Sequence, residues 1–340
     1  MPSPRKKKAE ASSATAKLSE AFEFVSPAFK EKGQPFEEYC RIGNKQVIAF
    51  NGVVAFGHPI DEELTICPHL GKLLTAIKKA GQTLSLTELD SGRLSMKGDN
   101  LRVIIPCIDP AVIPAVMPDP PAGVMSDDIL AGFAAVNPLI KEGDANIRWI
   151  ETAALLRANT IFATNGHIAF EYWHGIDLPP GLSVPKMAVN ALAKTKKKLT
   201  GFGFSRTSVT FYFEDGAWIR TQLFSEQFPD VDRLLNNAFK GRGPADLLET
   251  PPALFEACAA VLPFADTSAI YLGPGVVKSH PVDGAGADYP VEGLAGFAVI
   301  NGEYMKLAAP HAARFDLCPN EDHVIFFGDR IRGVLMKMRG

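Results

Sequence analysis

Few residues of this chain are spaced as a reaction would need them. The most suggestive triplet is Asn165-Gly166-His167, a polar turn that carries an imidazole. An imidazole can move a proton near neutral pH if a partner group lies beside it. The same turn occurs earlier as Asn51-Gly52 without a histidine, so a strand–turn–strand role is the stronger reading. There is no glycine-rich phosphate loop, no Gly-x-Gly-x-x-Gly after a strand, no His-Glu-x-x-His and no Gly-x-Ser-x-Gly. The seven histidines are dispersed. Five cysteines (Cys40, Cys67, Cys107, Cys258 and Cys318) form no Cys-x-x-Cys pair, which argues against a zinc site and a disulfide framework. The expectation is a protein that is not an enzyme and that uses no metal and no cofactor.

The basic residues are more informative. Lys72, Lys78 and Lys79 fall on or just after one helical pattern; Lys194, Lys196, Lys197 and Lys198 close a second; Lys306 and Arg314 lie on or near a third. One lysine-bearing helix is usually a solvated face. Three related ones suggest a basic strip that meets phosphates without reading bases. Arg148 beside Trp149 could add a contact to nucleic acid, with a partly buried structural tryptophan as the equal alternative. The formal net charge of −3 excludes coating of DNA by bulk charge, but not a basic inner surface with an acidic outer one.

These residues sit in a repeat. The chain has 340 residues, 46% of them hydrophobic, enough for several cores. A hairpin pattern recurs at roughly 115-residue intervals, the mark of repeated structural units. It occurs at Leu94–Ile104, Val209–Arg220 and Val324–Arg332, each with β-branched or aromatic runs around a Gly/Asp turn. A helical pattern precedes each hairpin, from Pro68, from Pro185 and from Asn301. Ile48–Phe56 and Ile161–Phe170 share a strand, Asn-Gly turn, strand pattern. Further helices are expected at Asp127–Lys141 and Pro252–Leu262, while the matching one in the first unit, at Ser26–Gly33, is short and interrupted. Residues 1–17, rich in Lys, Ser and Ala, read as a disordered basic tail. The expected architecture is α+β: three repeated domains over residues 18–118, 119–243 and 244–340, each an antiparallel sheet with helices on one face. No apolar run approaches the roughly 20 residues that span a bilayer. The basic N-terminus is not followed by a hydrophobic stretch, so a cytoplasmic protein with no membrane partner is expected.

In the second repeat the residues reach a known pattern. Ala163-Thr164-Asn165-Gly166-His167, then Leu182-Ser183-Val184-Pro185-Lys186, then Phe224-Ser225-Glu226-Gln227-Phe228-Pro229-Asp230 resembles, in order and separation, the bacterial sliding clamp, the β subunit of DNA polymerase III. Val334-Leu335-Met336-Lys337-Met338-Arg339 resembles that family's C-terminal segment, and Glu256–Leu262 the start of its third domain. The resemblance covers roughly residues 18 to 340 and rests on motif order together with the repeat. It implies the DNA-clamp fold and a head-to-tail homodimer, a ring that encircles duplex DNA independently of sequence and makes polymerases processive. Val103 and Ile105 would meet Val261 and Leu262 of a second copy. It also implies a pocket for short peptide motifs of polymerase and clamp loader, at Thr164, Gly166, His167, Ile168, Pro229, Arg233, Leu234, Val334, Met336, Met338 and Arg339. Asn165 stands for the family's Asp, Ile168 where Arg is frequent, and Lys337 where Pro is frequent. These departures put pocket specificity in question and suggest a divergent clamp of the kind a phage or mobile element encodes. The alternative is a clamp-like decoy that binds replication proteins without encircling DNA.

Overall fold

The computed structural model describes residues 4–143, 147–282 and 284–339, with side chains described from Thr15 onward. The chain divides into two compact units, one of residues 1–127 and 195–223, the other of residues 128–194 and 224–340. Among the described residues the α-helices are α1 (Pro4–Val25), α2 (Pro35–Glu38), α3 (Leu70–Ile77), α4 (Asp128–Val136), α5 (Lys186–Lys194), α6 (Val231–Phe239), α7 (Leu254–Val261) and α8 (Gly302–Ala308). None is long and apolar enough to cross a membrane. The boundary between the units runs through the middle repeat.

The first unit is built on a seven-stranded antiparallel sheet. Its order is Arg41–Gly43, Gln46–Phe50, Val54–Pro59, Trp218–Gln222, Ser208–Phe213, Leu199–Phe204, Pro121–Val124. Two hairpins distant in sequence meet where Gly57 pairs with Trp218. Trp218 is buried with Phe50, Ala55 and Val116. A Cβ at Gly57 would lie 2.1 Å from the indole, so only glycine lets the ring lie flat on the neighbouring strand. A separate antiparallel sheet holds Ser85–Glu88, Leu94–Lys97 and Arg102–Ile105, with Arg102–Ile105 at one edge.

Helix α1 lies on the first sheet and overturns two expectations. Residues from Pro4 on, read as a disordered tail, belong to this helix; residues 1–3 of that tail lie outside the described residues. Leu18, Ala21, Phe22 and Val25 are all buried. Their i, i+3, i+4, i+7 spacing is one helical face. The Thr15 hydroxyl accepts from the Leu84 amide (3.0 Å). The opening helix of the first repeat is therefore α1, and the stretch searched for it, Ser26–Gly33, holds only a 3₁₀ turn at Ser26–Ala28.

The second unit has an eight-stranded antiparallel sheet. Its order is Leu182–Pro185, Ala153–Leu156, Thr160–Thr164, Ile168–Trp173, Ile331–Met336, His323–Phe327, Arg314–Asp316, Leu248–Glu249. The second and third repeats join at the seam between Ile168–Trp173 and Ile331–Met336. Phe170 and Phe326, both fully buried, meet edge-to-face there at 5.3 Å. Helices α4 and α5 pack together, and α4 lies on the strands Thr160–Thr164 and Ile168–Trp173. A four-stranded antiparallel sheet (Asp288–Pro290, Val276–Lys278, Ala269–Gly273, Ala298–Asn301) carries α7 and α8. All three hairpins and both Asn-Gly turns expected from the sequence are present.

One buried group gives this unit an acid limit. His174 is buried; its Nδ1 accepts from the Ile176 amide (3.1 Å), and its Nε2 has no hydrogen-bond partner among the described residues. Burial pushes its pKa down to about 4. The unfolded chain takes up this proton near pH 6.5, the folded chain only near 4, so stability falls as pH drops through that window. The loss is on the order of 3 kcal/mol when both states are protonated. His174→Gln flattens the slope of urea stability against pH between those values; an unchanged slope would show that His174 is not the group responsible.

Candidate functional site

The turn that could have been catalytic is structural. The Asn165 side-chain oxygen accepts from the amides of His167 and Ile168, both at 3.0 Å. Asn51 does the same for Val53 (3.1 Å) and Val54 (2.8 Å). Gly52 and Gly166 hold the left-handed conformation at φ of +91° and +88°. Each turn closes its own polar groups in the way Asx turns do. His167 stacks on Tyr304 of α8, with no carboxylate in hydrogen-bond contact among the described residues.

Beside this turn the second unit has a cavity of about 370 Å³, framed by the turn, the strand end at Val334–Met336, α6 and the start of the strand His323–Phe327. Helix α6 is oriented by its two faces. Asp230 caps it by accepting from the Arg233 amide (2.9 Å). Val231, Leu235, Ala238 and Phe239 join Leu155, Phe162, Ile325 and Phe327 in the core below. Leu234, on the turn between these positions, faces the cavity and is 42% exposed.

Of the pocket residues named from sequence, Thr164, Gly166, His167, Ile168, Leu234, Val334 and Met336 line the cavity together. Pro229, Arg233, Met338 and Arg339 do not. Missed were Ala169, Asn237, Ala238, Glu321, Asp322 and His323, and Tyr304 through its stacking on His167. Asn237 and Ala238 could have been found, because they follow Leu234 at i+3 and i+4. Glu321 and Asp322 carried no such signal, since a loop's position is set by what it packs against.

A second groove of about 520 Å³ lies at the other end of the same seam, with exposed Trp173 at its wall. Most of its charges are spent internally. Arg157 and Arg332 share the buried Glu171, Arg157 also pairs with Asp232, and Arg330 pairs with Asp128.

The basic residues separate into free and committed groups. Lys72, Lys78, Lys79, Lys194 and Lys196 are exposed and form no ion pair among the described residues. Lys198 pairs loosely with Glu214 at 3.5 Å, and Lys306 with Glu303 at 3.1 Å. Arg314 donates to the Leu247 carbonyl (3.0 Å). Arg148 is tied to buried Glu151 at 2.6 Å. Burial opposes charge on Glu151, but Lys141 and Arg148 hold its pKa below the usual carboxylate range. Trp149 packs on Phe224 and Phe228, the structural role rather than a free stacking face.

Lys197 is the residue whose placement differs most from the expectation of an open basic strip. Its side chain is only 16% exposed. The ammonium donates to Glu20 (2.5 Å) on α1 and to Asp215, faces His58 Nε2 at 3.3 Å, and lies over the Phe24 ring. Glu20, His58 and Asp215 converge closely enough to hold a metal ion, and the lysine supplies the cation in their midst. Burial opposes its charge, yet the two carboxylates hold its pKa above the ordinary value. Lys197 therefore fastens α1 to the sheet.

Of the residues named for a dimer contact, Val103 is partly exposed, whereas Ile105, Val261 and Leu262 are buried within the chain. The Leu262 side chain fills the space left by Gly302, where a Cβ would come within 2.7 Å of it. All five cysteines are free thiols.

No protein-family model matches the sequence, and no curated protein matches it. Solved structures do. The DNA polymerase III subunit beta from Pseudomonas aeruginosa superposes with a TM-score of 0.78 at 16% identity, covering 96% of this chain and 98% of its own. The DNA polymerase sliding clamp from Bacillus subtilis gives 0.78 at 12% identity with the same coverage. The beta sliding clamp of C. crescentus gives 0.78 at 15%, again with the same coverage. Over nearly its whole length, then, this chain has the fold of the bacterial DNA polymerase III β sliding clamp.

Proposed function

We propose that the protein is a DNA sliding clamp: two copies close head-to-tail into a ring around duplex DNA and tether a polymerase to it. The observation that carries this reading is the coincidence of full-length clamp fold with an apolar pocket lined by Thr164, Gly166, His167, Leu234, Val334 and Met336. The three repeats are read as clamp domains over residues 18–118, 119–243 and 244–340. A lysine-bearing helix in each repeat suits loose, salt-sensitive contact with phosphates. Topology then does what affinity need not, and a partner held on the ring finds its site at raised effective concentration. Opening the ring would fall to a separate ATP-driven loader that docks in the same pocket.

Ring closure needs strand edges left unpaired within one copy. Arg102–Ile105 is one, at the end of its three-stranded sheet. Asp288–Pro290 is the other, because the opposite edge strand, Ala298–Asn301, is capped by the C-terminal segment through the Met338 amide and the Val299 carbonyl (2.8 Å). Apolar contact would come from Ile104 and Phe264, which are 41% and 65% exposed, rather than from their buried neighbours.

The test is solution mass across a dilution series, paired with retention on circular and linear DNA after loading. A species of twice the chain mass that stays on circles and slides off linear ends is the expected result. Replacing Lys72, Lys78, Lys79, Lys194 and Lys196 by alanine weakens DNA contact and flattens its salt dependence without unfolding the chain. A single-chain mass throughout, with or without DNA and loader, would sink the ring and favour a decoy that uses the pocket alone.

A further inference from the structure

This inference rests on reading the pocket as a peptide site and specifies its ligand. Histidines apart, the titratable side chains lining the cavity are carboxylates, Glu321 and Asp322. Two nearby lysines are committed to local partners. The Lys240 ammonium pairs with Glu321. The Lys337 ammonium donates to the carbonyls of Cys318 (2.7 Å) and Glu321 (2.8 Å), and its amide donates to the Asp322 carbonyl (2.8 Å). Lys337 thus fastens the segment 318–322 to the strand end and sets Asp322 at the mouth.

Asp322 is aimed rather than loose. Its carboxylate lies 3.1 Å from His323 Nδ1; Nε2 of the same ring lies 3.1 Å from the Ala238 carbonyl of α6, and a neutral imidazole donates to only one of these two acceptors. The carboxylate is nonetheless 81% exposed. The bond from His323 holds its pKa below the ordinary carboxylate value, so it is charged at neutral pH. An apolar cavity with a fixed anion on its rim selects by charge as well as by shape.

We infer that the pocket takes a peptide whose apolar anchor is flanked by a lysine or arginine, which pairs with Asp322 at the rim. The anchor enters between Leu234, Val334 and Met336, and the flanking cation stays in solvent. The pair therefore adds discrimination rather than most of the affinity.

Two fluorescein-labelled peptides with one Leu-Phe core, flanked by lysine in one and glutamate in the other, decide this by anisotropy on the full-length protein. The lysine peptide is expected to bind about fivefold more tightly at low salt, the upper range for an exposed pair. High salt compresses the ratio. Asp322→Asn reduces it towards one and Asp322→Lys inverts it, with the thermal melt as a check on folding. Equal binding of both peptides, or a ratio unmoved by Asp322→Asn, would overturn the charge selection and leave the pocket standing. Failure of both peptides to bind at all would remove the peptide-site reading and the inference with it.

Discussion

Leu234→Asp abolishes capture of an apolar peptide, weakening it by about a hundredfold or more, equivalent to nearly 3 kcal/mol. Leu234 projects from α6 into the cavity while Val231, Leu235 and Phe239 hold the helix to the sheet. The substitution leaves that inner face untouched, so folding is preserved. It places a charge where a ligand side chain must sit against Val334 and Met336, and the ligand would have to strip water from it with no partner to replace the water. Met336→Ala is the graded companion: it removes apolar wall without adding charge and costs a few-fold. Titration calorimetry with the peptide measures both, and melting curves check the fold. Undiminished binding by Leu234→Asp would place the peptide elsewhere on the molecule.

Phe326→Ala is expected to cost about 3–5 kcal/mol of stability, the range for deleting a buried aromatic side chain. The ring is fully buried, meets Phe170 edge-to-face at 5.3 Å, and sits over Gly333. It therefore fills the seam at which the second and third repeats share one sheet. Gly333→Ala attacks the same packing from the other side. Its Cβ would lie 2.1 Å from the Phe326 ring and 2.9 Å from the Phe170 ring, which meet over the glycine from the two flanking strands. Overpacking of this kind costs roughly 1–3 kcal/mol. The seam also carries Ile168 and Val334 of the pocket, so loosening it should weaken peptide binding although neither Phe326 nor Gly333 lines the cavity. Urea unfolding followed by several probes is needed, because a chain of this size need not unfold in one step. A loss below about 1 kcal/mol for Phe326→Ala would mean that the seam does not depend on this pair.

Much of the arrangement was legible in the residues. The three hairpins announced themselves by period-two runs around Gly/Asp turns, since a half-buried strand must alternate. The Asn-Gly turns were legible because a glycine at positive φ and an Asn that accepts from the amides after it are local chemistry. These patterns gave the turn at Thr164 to Ile168 and the strand end at Val334 to Met336, whereas their joining in one pocket was implied only by the family resemblance. Helix α1 was legible in part. Leu18, Ala21, Phe22 and Val25 carry the helical period, but the polar residues before them read as tail. A helix anchored by packing needs little propensity of its own.

What the sequence determined by itself is the alternation and punctuation of the chain, because burial of one face and closure of a turn are decided over a few residues. Which charges are free is settled by the fold. Lys197 and Lys196 are adjacent and alike in sequence, yet one is enclosed by Glu20 and Asp215 and the other stands in solvent. Glu321 and Asp322 become the rim of a pocket because Lys337 binds their loop's carbonyls. Ile105 and Leu262 disappear into the core while Ile104 and Phe264 remain outside. Partners in an ion pair or a packed core come from residues far apart along the chain. Local pattern can state that a charge or an apolar group is present, and only the fold states what it meets.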